Sequence, residues 1–174
     1  MTHMKRFGII VGLLLLVLVL AGLGRYLYNV PAVPAVRRAV PGEKEAISVF
    51  FPDGQGKLEI KAVEVRKQLS DRARADILFR ELKEARSIPD RLRLYELAMG
   101  EDGVLYLNVS KELLDPGSPA REVAMVYSIV NSFAASFPMV RSVQLLVEGE
   151  PVYTRSGFLY ILKPLQSNKE LLED

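Results

Sequence analysis

The stretch SPAREVAMVYSIVNSFAASFPMVRSVQLLVEGEPV, residues 118–152, combines a long apolar helix pattern with a strand and a turn. Ser118 is a favoured helix cap, and Pro138 ends the pattern because proline cannot continue a helix. Between these two residues only Arg121 and Glu122 are charged. A helix with so few charges is largely buried, either in the core of its own domain or against a partner.

One side of this helix carries small and polar residues, which are Ser128, Asn131, Ser132 and Ala135. Their spacing of i, i+3, i+4 and i+7 places them on one face. Two interpretations of this face are open: it faces solvent, or it is a seam against which another surface packs closely. We predict that Ser128, Asn131 and Ser132 lie at or near a contact surface.

The segment after the helix contains two carboxylates that flank a glycine. Val143, Leu145 and Val147 alternate with other residues and point to one side, as in a half-buried strand. We predict a turn at residues 148–150 and a return strand over residues 151–154.

The sequence before the long helix predicts another helix and two pairs of strands. Ser70 and Asp71 suit the start of a helix that runs to about Arg86, with an apolar stripe and an opposite face of charge pairs. The strands are recognised by alternating or β-branched runs between turn residues, and they are Ile47–Phe51, Leu58–Val65, Leu92–Ala98 and Val104–Val109.

With a last apolar segment at Phe158–Leu162, the elements follow the order β-β-α-β-β-α-β-β. Such an order predicts an α+β fold, in which two main helices pack on one face of a mixed or antiparallel sheet.

The N-terminal region contains eighteen uncharged residues, Phe7–Gly24, with basic residues on both sides. As a helix this segment rises about 27 Å, close to the hydrocarbon core of a bilayer. We predict a transmembrane signal anchor over residues 1–28, and a cleavable signal peptide is the alternative. Prolines make residues 29–45 a semi-rigid stalk. A domain over residues 46–165 follows, and then a polar tail, residues 166–174, which we expect to fray.

The net charge of +2 does not describe the predicted domain. Five of the 23 basic residues precede Gly42 and all 21 acids follow it, so the chain from Gly42 onward carries a net charge of −3. A slightly acidic domain gives no electrostatic basis for binding nucleic acid. We therefore predict no nucleic-acid partner.

Residue types that serve catalysis and metal binding are scarce. The chain has no cysteine, and its one histidine, His3, precedes the apolar N-terminal segment. The carboxylates beside turn residues are Asp53, Asp102, Glu148 and Glu150, and turns tolerate such residues for backbone reasons alone. We therefore predict a protein that is not an enzyme and has no catalytic, cofactor or metal site. The alternative is a peptidoglycan-acting enzyme or accessory factor that uses turn carboxylates such as Asp53 and Glu148.

Three landmarks occur in order along the predicted domain: FFPD at residues 50–53, GVLYLNVSKELL at residues 103–114, and the stretch from Glu122 to Val152. Together they resemble the GerMN domain family, the sporulation and spore germination module, over roughly residues 46–165. The most specific part is the apolar helix followed by the strand and turn.

The resemblance implies an extracytoplasmic, periplasmic module on the bacterial cytoplasmic membrane, held by a single N-terminal span and without known catalysis. In sporulating bacteria such domains serve spore-envelope assembly and germination as scaffold or binding parts. The expected partners are an envelope protein or peptidoglycan, and a homo-oligomer is a further expectation. Family members often carry aspartate where Asn108 stands, and a polar Gly-His-x-Asp-like segment at residues 157–160. If those residues form a shared surface, we expect this protein not to use it.

Overall fold

The first element of the described part of the chain is a β-hairpin. The computed structural model describes residues 43–115, 117–153 and 159–172. The chain divides into two units, residues 1–39 and 40–174, and the described residues belong to the second. Strand β1, Lys44–Pro52, pairs antiparallel with strand β2, Leu58–Arg66. Both strands follow the predicted β-branched and alternating runs and extend beyond them at one or both ends.

Helix α1, Asp71–Glu84, begins and ends with recognisable caps. The Ser70 hydroxyl accepts a hydrogen bond from the Ala73 N–H group at 3.2 Å. At the other end the Arg86 N–H group bonds the Lys83 carbonyl at 2.8 Å, and the Ser87 N–H group bonds the Leu82 carbonyl at 2.9 Å. This pair of bonds is a Schellman motif, and it places Arg86 in the left-handed conformation with φ of 55°.

A three-stranded sheet forms the second half of the fold. Strand β3, Leu94–Met99, pairs antiparallel with β4, Val104–Val109, and β4 pairs in parallel with β5, Ser142–Val147. A short 3₁₀ helix, Lys111–Leu114, follows β4. Parallel strands need a long crossover connection, and helix α2, Pro119–Ser136, supplies it between β4 and β5.

The core lies where the two helices meet both sheets. Helix α2 packs against β1 and β5, and α1 packs against β1, β3 and α2. The Phe133 ring of α2 is fully buried, 5.9 Å from the Phe79 ring of α1 and 5.7 Å from the Phe137 ring. Leu107 on β4 and Leu145 on β5 lie opposite each other and are also buried. The predicted apolar helix is therefore buried in the core of its own domain.

The predicted single sheet and the predicted return strand are both wrong. The strands form two separate sheets, because β1 and β2 pair only with each other among the named strands. After the turn, only an isolated bridge between Val147 and Glu150 remains, and residues 151–153 and 159–162 lie in no strand. Pro151 has no N–H group to donate. The Val143 N–H and C=O groups instead bond the backbone of Leu165, each at 2.8 Å.

The expectation that the tail frays is wrong for its described part, up to residue 172. Residues 165–172, here called the C-terminal strap, are bound to three elements. Leu165 pairs with β5, the Asn168 backbone bonds α2, and the Leu58 N–H group of β2 donates to the Leu171 carbonyl at 2.6 Å. Backbone groups make these contacts, so the polar composition of the tail does not reveal them.

None of the helices in the described ranges is long and apolar enough to cross a membrane. The predicted anchor, residues 1–28, and nearly all of the predicted stalk lie outside those ranges.

Candidate functional site

The polar face of helix α2 binds the free edge of strand β1. The Phe50 N–H group donates to the Ser132 hydroxyl at 2.9 Å, and the Ser136 hydroxyl donates to the Ser48 carbonyl at 3.2 Å. Backbone groups at a sheet edge need partners when they are buried. The serines of α2 supply those partners in place of another strand.

Asn131, five residues before Ser136 on the same helix, holds the C-terminal strap. Its side-chain amide donates to the Asn168 carbonyl at 3.0 Å, and its side-chain oxygen accepts from the Asn168 N–H group at 2.9 Å. An amide side chain with both bonds to one residue replaces a neighbouring strand for that residue. Asn131 is 1% exposed because the strap covers it.

Ser128 occupies the same face but makes no comparable contact. It is fully buried, and its hydroxyl has no hydrogen-bond partner in the part of the chain that the structure describes. An unsatisfied buried hydroxyl costs about 1–3 kcal/mol. Ser128 is therefore a suitable control for Asn131 and Ser132, whose side chains do form hydrogen bonds.

Ser128, Asn131 and Ser132, the predicted contact residues, lie on α2 and are buried, and two of them bond other parts of the chain. Those parts are β1 for Ser132 and the strap for Asn131. The solvent-facing interpretation is wrong for these three residues, since all are buried, whereas Ala135, the fourth residue of the face, is exposed. Contact with a second molecule stays a prediction, and such a molecule reaches Asn131 only when the strap moves away.

Two of the candidate carboxylates organise their own turns. One Asp53 oxygen accepts from the Gln55 and Lys57 N–H groups, at 2.6 and 3.0 Å. One Asp102 oxygen accepts from the Val104 N–H group at 3.2 Å. Both arrangements are Asx turns, which explain an aspartate at these positions without a catalytic role.

The other two carboxylates, Glu148 and Glu150, are exposed at the turn after β5. The turn is closed by paired backbone bonds between Val147 and Glu150, at 2.9 and 3.1 Å. Glu148 has a φ of 52° and Gly149 a φ of 92°, so the chain reverses through two left-handed residues. Across the described ranges, no three acidic or histidine side chains are grouped to bind one metal ion.

Sequence reasoning missed two buried polar side chains that hold the segment after residue 158. Glu122 is fully buried, and one of its carboxylate oxygens accepts from the Leu159 N–H group at 2.9 Å. Gln144 is 4% exposed and donates to the Leu145 and Ile161 carbonyls, both at 2.9 Å. An acid in the first turn of a helix normally signals only the helix dipole, so the sequence offers no cue to the second role of Glu122.

A family model described as Sporulation and spore germination, the Germane or GerMN family, matches residues 48–153, more than half of the chain. The chain belongs to the GerMN family. The resemblance predicted from the three landmarks is thereby confirmed. No curated protein sequence matches the chain.

One solved GerMN structure is similar in fold, and two further structures match with lower scores. The tandem GerMN domains of the sporulation protein GerM from Bacillus subtilis align with a TM-score of 0.51 at 14% identity, covering 75% of this chain and 48% of that one. The chain thus spans about half the length of the tandem protein. The first GerMN domain of the same protein gives 0.47 at 13% identity, covering 71% and 96%. A candidate lipoprotein from Clostridium perfringens gives 0.45 at 21% identity, covering 74% and 88%.

Asn108 on β4 has a structural role at the turn that follows β5. Its side-chain oxygen accepts from the Gly149 N–H group at 2.8 Å and so fixes the turn that follows β5. An aspartate oxygen accepts the same bond, because only an acceptor is needed. The position therefore connects strand β4 to the turn whichever of the two residues occupies it.

Proposed function

We propose that this GerMN protein is a non-enzymatic module of the bacterial cell envelope. Residues 1–28 anchor it in the cytoplasmic membrane, and the domain stands outside the cytoplasm, where it binds an envelope protein or peptidoglycan. Sporulation or spore germination is the process that its family membership supports. The observation that carries the proposal is the family match over residues 48–153, which follows an uncharged apolar segment of bilayer length.

The turn geometry supports a binding role over catalysis. Asp53 and Asp102 each use a carboxylate oxygen to accept a hydrogen bond that closes a turn. Glu148 lies in a turn whose shape comes from its left-handed backbone conformation. A glycosidase needs two carboxyl groups placed about 5–10 Å apart across one bond. Asp53→Ala combined with Glu148→Ala tests the enzyme alternative. We expect no wall hydrolysis by the wild-type chain, and hydrolysis that the double variant loses would overturn the proposal.

The absence of cysteine allows a clean test of anchoring and topology. Met139 is 77% exposed on the domain, so Met139→Cys gives a single accessible thiol, and Thr2→Cys gives one before the apolar segment. In intact cells stripped of any outer membrane, a membrane-impermeant maleimide should label Met139→Cys, and it should label Thr2→Cys only after lysis. Labelling in the opposite order excludes the proposed topology, and a mature N-terminus near Val36 excludes the anchor.

A crosslinker placed on α2 tests whether a partner contacts the polar face of this helix. Ala135 is exposed and continues the spacing of Ser128 and Asn131, so Ala135→Cys carries a short crosslinker without removing a buried bond. Asp76→Cys on the exposed face of α1 is the matched control. We expect a crosslinked product in cells from Ala135→Cys alone, either with a second copy or with an envelope protein. Equal products from both sites, or none from either, would remove the polar face of α2 from the proposal.

A further inference from the structure

An open cleft of about 580 Å³ lies between the turn of the first hairpin, the end of α1 and the start of α2. This volume is in the range of small-molecule and cofactor sites. Its apolar lining includes Ile88 and Met125, which are almost fully buried, and the small side chain of Ala124. A ligand with an apolar portion therefore has a surface to pack against.

Three cations line the cleft without an ion-pair partner among the described residues: Lys83, Arg86 and Arg121. Of the lining acids, Glu84 lies 3.9 Å from Arg80, and Asp115 interacts with another group of the chain. Arg121 is in the first turn of α2, where the helix dipole adds positive potential. Asp90, the third lining acid, also has no ion-pair partner among the described residues, so the cleft presents groups of both signs outside the ion pairs, with Lys83, Arg86 and Arg121 as its cations.

Arg86 occupies a backbone position that suits glycine. It is the left-handed residue of the Schellman motif at the end of α1, with φ of 55°. Only glycine takes this conformation without steric strain, and strained residues of other types concentrate at functional sites. Arg86 thus presents a guanidinium beside the cleft from a backbone position that glycine takes without strain.

Ser87, the next residue, adds an unused polar group to the same wall. It lines the cleft and is 6% exposed, and its hydroxyl has no hydrogen-bond partner within residues 43–115, 117–153 and 159–172. Rotation about one side-chain bond redirects this hydroxyl, so a bound ligand can satisfy it.

We propose that the cleft binds a short acidic peptide that carries at least two carboxylates and one amino group. Arg86 and Arg121 bind the carboxylates, since a guanidinium pairs with a carboxylate through two parallel bonds. Asp90, the exposed acid on the rim, binds the amino group. The apolar lining favours a peptide over a bare anion. This inference rests on the proposed binding function and names a ligand class for it.

The test uses the full chain in mild detergent, with methionine methyl groups labelled for NMR. Met125 lines the cleft, whereas Met139 and Met99 are exposed outside its lining and serve as internal controls. The probes are a cell-wall stem tripeptide of alanine, D-glutamate and diaminopimelate, an all-L acidic peptide of equal length, and inorganic phosphate. We expect a saturable shift of the Met125 signal with at least one peptide. A response to the stem peptide alone identifies the wall as the source, and a response to the all-L peptide alone identifies a protein segment.

Arg121→Ala should weaken peptide binding about tenfold or more, because a charge-assisted pair is lost. Arg66→Ala, which removes an exposed arginine from β2 outside the cleft, should leave binding unchanged. Arg86→Gly should raise the midpoint of thermal unfolding while it weakens binding, a combination that a purely structural role for Arg86 does not produce.

No Met125 shift with either peptide, equal losses in Arg121→Ala and Arg66→Ala, or equal saturation by phosphate would each overturn the inference. None of these outcomes bears on the anchoring test or the crosslinking test, so the two proposals fail separately.

Discussion

Helices α1 and α2 both carry a polar stripe, but the two stripes have opposite environments. On α1 the polar side faces water, and Arg72 pairs with Asp76 at 3.0 Å with both side chains about half exposed. On α2 the polar side is buried, and Ser132 and Asn131 bond the backbones of β1 and the strap. Side-chain polarity therefore does not identify a solvent face. Short hydroxyl and amide side chains also serve as edge partners for backbone that lacks a neighbouring strand.

The largest effect should come from the apolar side of α2. Phe133→Ala removes a fully buried ring that packs on Phe79 and Phe137, so it should lower the free energy of unfolding by about 3–5 kcal/mol. Arg80→Ala on the exposed face of α1 should change it by less than about 0.5 kcal/mol. Urea unfolding of both variants measures the contrast. Similar losses in the two would mean that the helices do not differ in burial.

The next effect compares two serines on the polar face of α2. Ser132→Ala leaves the Phe50 N–H group buried without a partner and should cost about 1–3 kcal/mol. Ser128→Ala is the matched control, since it removes a buried hydroxyl that has no partner within the described residues and should be neutral or stabilising. Chemical unfolding of both variants decides the point. Equal destabilisation would show that size, and not the bond to β1, makes serine necessary.

Asn131→Ala should release the strap more than it destabilises the domain. The variant removes both side-chain bonds to Asn168, whose backbone groups then turn to water. Hydrogen exchange should lose protection at Asn168, with a smaller loss at Leu165 because its backbone pairs with Val143 independently. Unchanged exchange at Asn168 would show that other contacts hold the strap.

The smallest effect concerns the ion pair that joins α1 to the hairpin. The hydrogen bond and charge of Glu81 raise the pKa of Lys61 above its usual 10.5, with the two groups 2.9 Å apart. A raised folded-state pKa means that the contribution to stability is complete below about pH 10.5 and disappears as the pH rises through the folded-state value. Lys61→Met should therefore be less stable than wild type at pH 8, and the difference should shrink as the pH rises through the folded-state pKa of Lys61.

Lys169→Met, which removes an exposed lysine without such a pair among the described residues, is the control for Lys61→Met. Stability of the three proteins measured from pH 8 to pH 11.5 tests the assignment. A difference between wild type and Lys61→Met that is constant over this range would contradict it.

Most elements of the fold follow from local sequence. The Ser70 and Ser118 caps are both observed, and the strand over residues 142–147 is confirmed. The cap and strand signals involve residues that are close along the chain, so a short stretch of sequence is enough to predict each element. The family assignment also follows from the sequence, because the landmarks occur in order within one domain.

The strap, the edge of β1 and the separation of the sheets do not follow from local sequence. Ser132 bonds Phe50 and Asn131 bonds Asn168 across long separations in the chain. In each case the partner is a backbone group that nearly every residue type offers. No side-chain pattern in the sequence therefore indicates which backbone group is the partner. The sequence does not reveal the missing return strand for the same reason. Leu165 pairs with the edge of β5 through its backbone groups, which no side-chain pattern indicates.

By itself, the sequence determined the identity of the helices and main strands, the burial of α2 and the shortage of catalytic residue types. These properties depend on composition and on the periodicity of neighbouring residues. Only the tertiary structure decided what covers the polar face of α2, where the tail binds, and which charges of α1 and α2 line one cleft. Those properties depend on which distant segments meet, and the free energy of those contacts comes largely from backbone groups and burial that no single segment encodes.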